Sequence, residues 1–315
     1  MVQKEESYIG SKNGINKLHV IAWIPDGEKR AILQIAHGMS EYIDRYDRFA
    51  QFMAERGILV IGNDHLGHGK SVADDTELGY FNTDRGSATL VDDMYRVTMD
   101  VRSHYPDLPF FIMGHSMGSF LARRYMMTYG EGVSGAIFMG TGAQPAAALK
   151  LAQLTAEAIG KMKGDRYKSK VLNAMAFGSY NKRIKPVRTE FDWLSVNEVN
   201  VDRYIKDPYC GFPFTVNGFK VLFDLIAYIQ EPENYKRIPK DVPLFLVSGK
   251  QDPVGSYGEA VKEVAKTYRE AGVHKIHVKL YAGDRHELLN EKDHDKVDGD
   301  ILSFIELNMN GRQKA

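Results

Sequence analysis

The stretch FFIMGHSMGSFLARRYM, Phe110 to Met126, decides how the chain is read. Its first four residues, Phe110–Met113, have the continuous apolar character of a buried strand, and a helical pattern begins soon after. Between the two stands Gly114-His115-Ser116-Met117-Gly118, which fits G-x-S-x-G. A serine on a tight strand-to-helix turn has its hydroxyl pushed out above the sheet, and flanking glycines leave room for the close backbone approach. The helix that follows points its first N–H groups at the same spot, which favours a developing negative charge. A serine with only a structural role needs none of this. Ser116 is therefore the candidate nucleophile.

Strands and helices alternate on both sides of this stretch. Residues 7–10 and 16–24 bracket the turn dipeptide Asn13-Gly14 and read as a hairpin. AILQIAH (31–37) reads as a buried strand, and a helix capped by Ser40 runs to about Arg56, ended by Gly57. ILVIG (58–62) is the next strand, before the polar loop NDHLGHGKS. A helix over 87–104 carries Leu90, Met94, Val97 and Val101 on one side and stops before Pro106. After the strand 110–113 come a helix over 117–130 and a strand over 135–139. Then the rhythm breaks. Residues 143–240 are mostly helical in pattern, and no strand of the earlier type returns until VPLFLVSG (242–249). A helix (256–271), a strand (274–280) and a last helix (294–308) follow. This order predicts an α/β fold, a mainly parallel central sheet with helices on both faces. It divides the chain into a core domain, residues 1–142 and 241–315, and a mostly helical insertion, residues 143–240.

Composition narrows the function. A chain of 315 residues, 43% of them hydrophobic, can bury a large core. Its 41 basic and 41 acidic residues cancel, so no basic excess points to nucleic acid. The single cysteine, Cys210, excludes an intramolecular disulfide and suits a reducing, cytoplasmic compartment. In DPYCGF it has no basic neighbour and reads as a small buried residue. The first residues, MVQKEESYIGSKNG, lack the apolar region of a secretory signal. The longest apolar runs, such as VLFDLIAYI (221–229), fall far short of the ~20 residues of a membrane span.

A serine hydroxyl is a weak nucleophile and needs a general base. In this architecture the partners follow in the order serine, acid, histidine. Of the ten histidines, only His286 stands just past the last strand, in YAGDRHELLNE. That loop lies at the sheet edge where such folds hold ligands. His274 and His277 fall in the predicted strand, His37 and His115 precede the serine, and His294 starts a helix. The acid is Asp252, just past a strand in VSGKQDPVG, where it would fix the imidazole tautomer and stabilise the imidazolium. Its rival, Asp284, is two residues from His286 and too local to brace the ring from behind without strain. An oxyanion hole needs two backbone donors: the N–H of Met117, after the nucleophile, and that of Met39 in the loop HGMSE. Asp64, His65 and His68 could suggest a metal, but no further ligand stands at a telling spacing, and none is expected.

The insertion carries weaker signals. LKLAQLTAEAIGKM (149–162) places Leu151, Leu154, Ala158 and Met162 along one helical face, which reads as a core-facing stripe. Aromatic residues gather in its second half, among them Phe177, Tyr180, Trp193, Tyr204 and Phe212, and suit either an acyl tunnel or simple packing. KRIKPVR (182–188) is basic and reads as a solvated loop, with a lipid phosphate as its alternative partner.

Together these pieces resemble the α/β-hydrolase superfamily. More closely, HGMSEYIDRY, NDHLGHGKS, GHSMGS, SGKQDPVG and DRHELLNE are similar to the monoacylglycerol lipase and lysophospholipase group, filed with the serine aminopeptidase S33-like hydrolases. RTEFDWLS (188–195) and VDRYIKDPYCGF (201–212) resemble bacterial lysophospholipases. The resemblance spans nearly the whole chain and carries nucleophile, acid and base onto Ser116, Asp252 and His286, and the oxyanion donors onto Met39 and Met117. The family often has a small residue where Met39 stands, which implies a tighter entrance. Gly38, His115 and Trp193 are expected to touch the substrate. The resemblance implies hydrolysis of fatty-acid esters without metal or organic cofactor, under a cap formed by residues 143–240. The implied partner is a small lipid ester, with the cap as the surface for any transient membrane contact. A short-chain carboxylesterase, an S33-type peptidase and a non-catalytic ligand-binding protein on the same scaffold are the alternatives.

Overall fold

The computed structural model describes residues 2–309. β1 (Val2–Gly10) and β2 (Lys17–Pro25) pair antiparallel around Asn13-Gly14. β3 (Ala31–Ala36), β4 (Ile58–Asn63), β5 (Phe110–His115), β6 (Gly135–Met139), β7 (Leu244–Gly249) and β8 (Ile276–Tyr281) extend the same sheet. The spatial order is β1-β2-β4-β3-β5-β6-β7-β8, parallel from β4 onward.

The continuous apolar runs have a direct cause. Every residue of β3 through β7 is buried, because helices cover both faces. Side chains still alternate: Ile32, Phe110 and Ile112 join one core, while Leu33, Phe111 and Met113 join the other. The helices in chain order are α1 (Asp47–Ala54), α2 (Ser87–His104), α3 (Met117–Tyr129), α4 (Ala146–Lys163), α5 (Lys170–Phe177), α6 (Glu198–Lys206), α7 (Val216–Gln230), α8 (Pro232–Tyr235), α9 (Glu259–Glu270) and α10 (His294–Asn308). α1 and α10 cover one face of the sheet; α2, α3 and α9 cover the other. α4 to α8 all fall between β6 and β7.

Three expectations fail locally. Ser40 does not cap a helix. It sits in left-handed backbone (φ 53°), and a single 3-10 turn at Ile43–Tyr46 leads into α1. Tertiary bonds override the local signal here: Asp64 accepts the Ile43 N–H at 2.8 Å, and the Ser40 hydroxyl donates to the Phe212 carbonyl at 2.6 Å. The apolar stripe on α4 also faces the wrong way for core. Leu151, Leu154 and Met162 are 60%, 52% and 78% exposed. α4 packs on α7 and buries Leu149, Ala152 and Ala156 instead, since small side chains let two helix backbones come close. β8 begins at Ile276, which leaves His274 outside it. Among the described residues no helix is long and apolar enough to cross a membrane.

The topology prepares one edge. From β3 the chain moves outward to β4, then crosses back to β5 and grows the other way. A crevice opens where the direction reverses, between the C-terminal ends of β3 and β5. The loops after β3, β5, β6, β7 and β8 share that edge, and the helical insertion leaves from β6.

Candidate active site

Ser116 joins β5 to α3 with φ 53° and ψ −121°, a conformation that costs a non-glycine residue of order 1–3 kcal/mol. The turn survives because its surroundings fix it: the Ser116 N–H donates to Met139 O at 2.9 Å, and Ser119 donates back to Ser116 O through its hydroxyl (2.6 Å) and its N–H (2.8 Å). A Cβ on Gly118 would lie 2.0 Å from Ala36 O, so only glycine lets α3 press against the end of β3.

His286 and Asp252 meet from consecutive strand ends, β8 and β7. The His286 Nδ1 lies 3.0 Å from Asp252 Oδ2, with both side chains nearly inaccessible. Asp252 also accepts from Ser248 Oγ and from the Val254 N–H, each at 2.9 Å. Burial alone would raise the Asp252 pKa, but His286 and these donors hold it below the usual carboxylate range. With its other nitrogen given to Asp252, the ring offers Nε2 to the cavity. That atom is buried and has no hydrogen-bond partner among the described residues, Ser116 included. Such bonds often form only once substrate is bound. Gly140, after β6, makes room for the ring: a Cβ there would lie 2.8 Å from His286 Cε1.

Two buried histidines set the loop around Met39. His37 Nδ1 lies 2.8 Å from Gly38 O, and His68 Nε2 accepts the Ser40 N–H at 3.2 Å. The peptide groups on either side of Met39 are thus held. Met117 is the first residue of α3, where a helix leaves N–H groups without intrahelical acceptors. Burial pushes the pKa of both histidines down, that of His68 to about 3, so both stay neutral. The Asp64 carboxylate of the suggested metal set is taken up by His19 Nδ1 and by the N–H groups of Ile43 and Lys70, each at 2.8 Å. The His65 and His68 ring centres stand 6.4 Å apart.

A buried charge cluster lies beneath the site. Glu41 accepts from the Gly38 N–H at 2.5 Å, Tyr46 OH at 2.9 Å, His115 Nδ1 at 3.1 Å and Arg45 at 2.6 Å. Arg45 then forks onto Glu287 at 2.8 and 2.9 Å, and Asn200 of α6 donates to Glu287 at 2.6 Å. The other His115 nitrogen lies 3.2 Å from His286 O. Both nitrogens therefore face acceptors, which only the imidazolium satisfies. Burial opposes that charge, yet Glu41 outweighs it and raises the His115 pKa. Burial would likewise raise the pKa of Glu41, but His115 and Arg45 bring it far down. Nothing in the sequence joined these residues, although Glu41 and Arg45 stand one helical turn apart and Glu287 follows His286.

Two cavities meet at Ser116. One, about 260 Å³, is apolar, with Phe120, Leu149, Leu222, Phe223 and Ile226 in its wall. The other, about 280 Å³, mixes Phe191, Tyr204 and Phe212 with Asn173, Glu190 and His286. Met39, Phe177 and Trp193 line both. Gly38 and His115 line the second cavity, but the Gly38 N–H and both His115 nitrogens are already engaged. The Trp193 ring centre is 5.1 Å from that of His286. Among the described residues no lysine or arginine lines either cavity. In the basic stretch 182–188, Arg188 pairs with Asp202 at 2.6 Å and Arg183 lies 3.9 Å over the Tyr257 ring. Cys210 is buried, and burial pushes its thiol pKa up.

Known proteins share this architecture. A family model described as Serine aminopeptidase, S33, matches residues 27–293. The monoglyceride lipase of Rattus norvegicus is 28% identical over 273 residues, covering 82% of this chain and 80% of that protein. The monoacylglycerol lipase of Mycolicibacterium smegmatis is 27% identical over 307 residues, covering 96% of this chain and 97% of that one. The crystal structure of a thermostable carboxyl esterase from Bacillus coagulans, in complex with glycerol, matches with a TM-score of 0.91 at 32% identity, over 98% of this chain and 100% of that one. The chain belongs to the serine aminopeptidase S33 family of the α/β-hydrolase fold and is a serine ester hydrolase of the monoglyceride lipase group.

Proposed function

We propose that the chain hydrolyses fatty-acid monoesters of glycerol, with Ser116 as nucleophile, His286 as base and acid, and Asp252 as orienting carboxylate. The observation that carries this reading is the buried His286–Asp252 pair, whose free Nε2 faces the cavity that Ser116 lines. His286 Nε2 takes the serine proton as Ser116 Oγ attacks the ester carbonyl. The N–H groups of Met39 and Met117 receive the oxyanion. The tetrahedral intermediate collapses, the alcohol leaves with the proton from His286, and water then releases the acyl group by the same steps in reverse roles. Asp252 stays ionised throughout and stabilises the imidazolium.

Residues 143–240 act as the cap that encloses both arms. The apolar arm suits an acyl chain, which gains ~0.8 kcal/mol per buried CH₂. The mixed arm suits the alcohol. A lysophospholipid brings a phosphate there, and a phosphate calls for a lysine or arginine. Among the described residues none lines the arm, which favours the glycerol ester. The names of the M. smegmatis and R. norvegicus relatives support the same reading.

The test is kcat/KM for monoacylglycerols of rising chain length, beside lysophosphatidylcholine and aminoacyl amides. Efficiency should climb with chain length until the apolar arm is full, and Ser116→Ala should abolish both turnover and fluorophosphonate labelling. A maximum at two to four carbons would replace the lipase reading with a short-chain carboxylesterase. Turnover confined to amides would replace it with a peptidase.

A further inference from the structure

We propose that the alcohol arm prefers leaving alcohols that carry a quaternary ammonium group, so that acyl esters of such amino alcohols are substrates as well. This rests on the assignment of the mixed cavity to the leaving alcohol. Three observations lead to it.

The first is the wall. Phe177, Phe191, Trp193, Tyr204 and Phe212 all line this cavity of about 280 Å³. The face of an aromatic ring is electron-rich and attracts a cation placed over it, and aromatic cages are a recurring solution for quaternary ammonium groups. Such a group is poorly hydrated and donates no hydrogen bond, so a cage of rings meets its needs without dedicated acceptors.

The second is the charge. Three carboxylates line the arm: Glu41, Glu190 and Glu287. Glu41 and Glu287 are bound by Arg45 at 2.6, 2.8 and 2.9 Å. The Glu190 carboxylate has no hydrogen bond and no ion pair among the described residues; only its backbone carbonyl is engaged, by Asn181. With His115 and Arg45 set against Glu41 and Glu287, Glu190, which is exposed to solvent, is the carboxylate of the arm left without a protein counter-charge among the described residues.

The third is the absence of an uncommitted cation: the His115 imidazolium on the wall is held by Glu41 at 3.1 Å, and Arg45, 5.0 Å over the Tyr204 ring, is held by Glu41 and Glu287. Among the described residues no lysine or arginine lines the arm. In the nearest basic stretch in sequence, Arg188 pairs with Asp202, Arg183 lies over the Tyr257 ring, and Lys182 and Lys185 are not among the lining residues of the arm. An anionic alcohol finds no uncommitted cation here, and a neutral one can offer Glu190 a hydrogen bond but no charge. A cationic one gains from both the rings and the carboxylate.

The chemistry is unchanged. The bond between acyl carbon and ester oxygen breaks, the oxygen takes the proton held by His286, and water supplies the hydroxyl of the fatty acid. Ester and water give acid and amino alcohol, with no oxidation or reduction.

The experiment compares octanoylcholine with 3,3-dimethylbutyl octanoate, which has carbon in place of the charged nitrogen and the same shape. Both are used below the concentration at which they aggregate. The choline ester should exceed the isostere about 5- to 30-fold in kcat/KM, the range a desolvated cation–π contact yields. In Glu190→Gln that ratio should shrink. A ratio of one or less in the natural protein overturns the proposal, and an unchanged ratio in Glu190→Gln overturns the role of Glu190. A second readout does not need turnover. Butyltrimethylammonium should bind Ser116→Ala protein by calorimetry, and no binding overturns the proposal even if esters are cleaved. Binding of that ion, with no ester hydrolysed by the natural protein, overturns the hydrolase reading and leaves the cation site standing.

Discussion

Two carboxylates compete in sequence for the partnership with His286, and their surroundings push them in opposite directions. Asp252 is fully buried, yet its contacts with His286, Ser248 and the Val254 N–H keep it ionised. Asp284 is pushed up to about 7 by burial and by the nearby charges of Asp293 and Glu291, and its Oδ2 has no partner among the described residues. A group that is half protonated near neutrality cannot serve as a fixed negative charge. Asp252→Asn should therefore lower kcat by about 10⁴-fold, the size of the effect when the orienting acid of such a set is lost. Asp284→Asn should change kcat by no more than a few-fold. It should also raise the melting temperature at pH 8 relative to pH 4. The sign follows from linkage: in the folded protein Asp284 keeps its proton up to about 7, whereas the unfolded chain releases it near 4, so its ionisation weakens the fold as pH rises between the two. Steady-state kinetics and thermal melts on the two variants decide it, and a reversed order of kcat losses would reassign the acid. At this scale the sequence was informative where chemistry needs a special turn. Ser116, Asp252 and His286 each follow a strand, and strands end in recognisable ways. Gly140 gave no such signal, because what matters about it is His286, a neighbour distant in the chain.

Loops, rather than helices or strands, carry the site, and a buried ion cluster ties them together. Glu41 holds the Gly38 N–H of the loop after β3; Glu287 belongs to the loop after β8; Asn200 belongs to α6 of the insertion. Arg45 sits between the two carboxylates and also lies 5.0 Å over the Tyr204 ring. Removing one member of a buried ion cluster leaves charge without compensation, at a cost of about 3–5 kcal/mol. Arg45→Met should destabilise the protein by that amount in urea titrations. Adding Glu287→Leu to it should return part of the loss, because one of the two stranded carboxylates is then gone. A double variant less stable than Arg45→Met would show that Glu287 matters for packing and not for charge. The same elements show what periodicity can and cannot say. The pattern of Leu90, Met94, Val97 and Val101 located α2 at Ser87–His104, because one buried face repeats over five turns. On α4 the pattern found a stripe but not its direction. The face that packs on α7 is built of Leu149, Ala152 and Ala156, and alanine leaves little mark on a hydrophobic profile. The capping rule failed at Ser40 because long-range bonds from Asp64 and to Phe212 set that loop.

For the molecule as a whole, one sheet with two covered faces was legible because the central strands are apolar nearly throughout, Gln34 in the middle of β3 and polar residues near strand ends apart. The polar groups inside it were not, and they govern how the protein responds to acid. His37, His65 and His68 cluster beside the Met39 loop, with His37 and His65 ring centres 4.2 Å apart and His37 and His68 5.1 Å apart. All three are buried, and burial lowers each pKa, that of His68 to about 3. Protons crowded into this cluster would repel one another as well as lose their hydration. The unfolded chain has no such restraint and protonates its histidines near 6.5. Below that pH the unfolded state binds protons that the folded state refuses, so stability is fully present above about 6.5 and falls as pH drops from there toward the folded pKa. At pH 5 His68 alone accounts for about 2 kcal/mol of that loss, a figure that barely depends on the folded value once it lies below 4. Replacing His68 with glutamine keeps an acceptor for the Ser40 N–H and removes the titration. The variant should therefore lose less stability than the natural protein between pH 7.5 and pH 5, as read from urea midpoints at the two pH values. Equal losses in the two proteins would mean that His68 takes up its proton in the folded state, and that the Met39 loop tolerates a charge at its base.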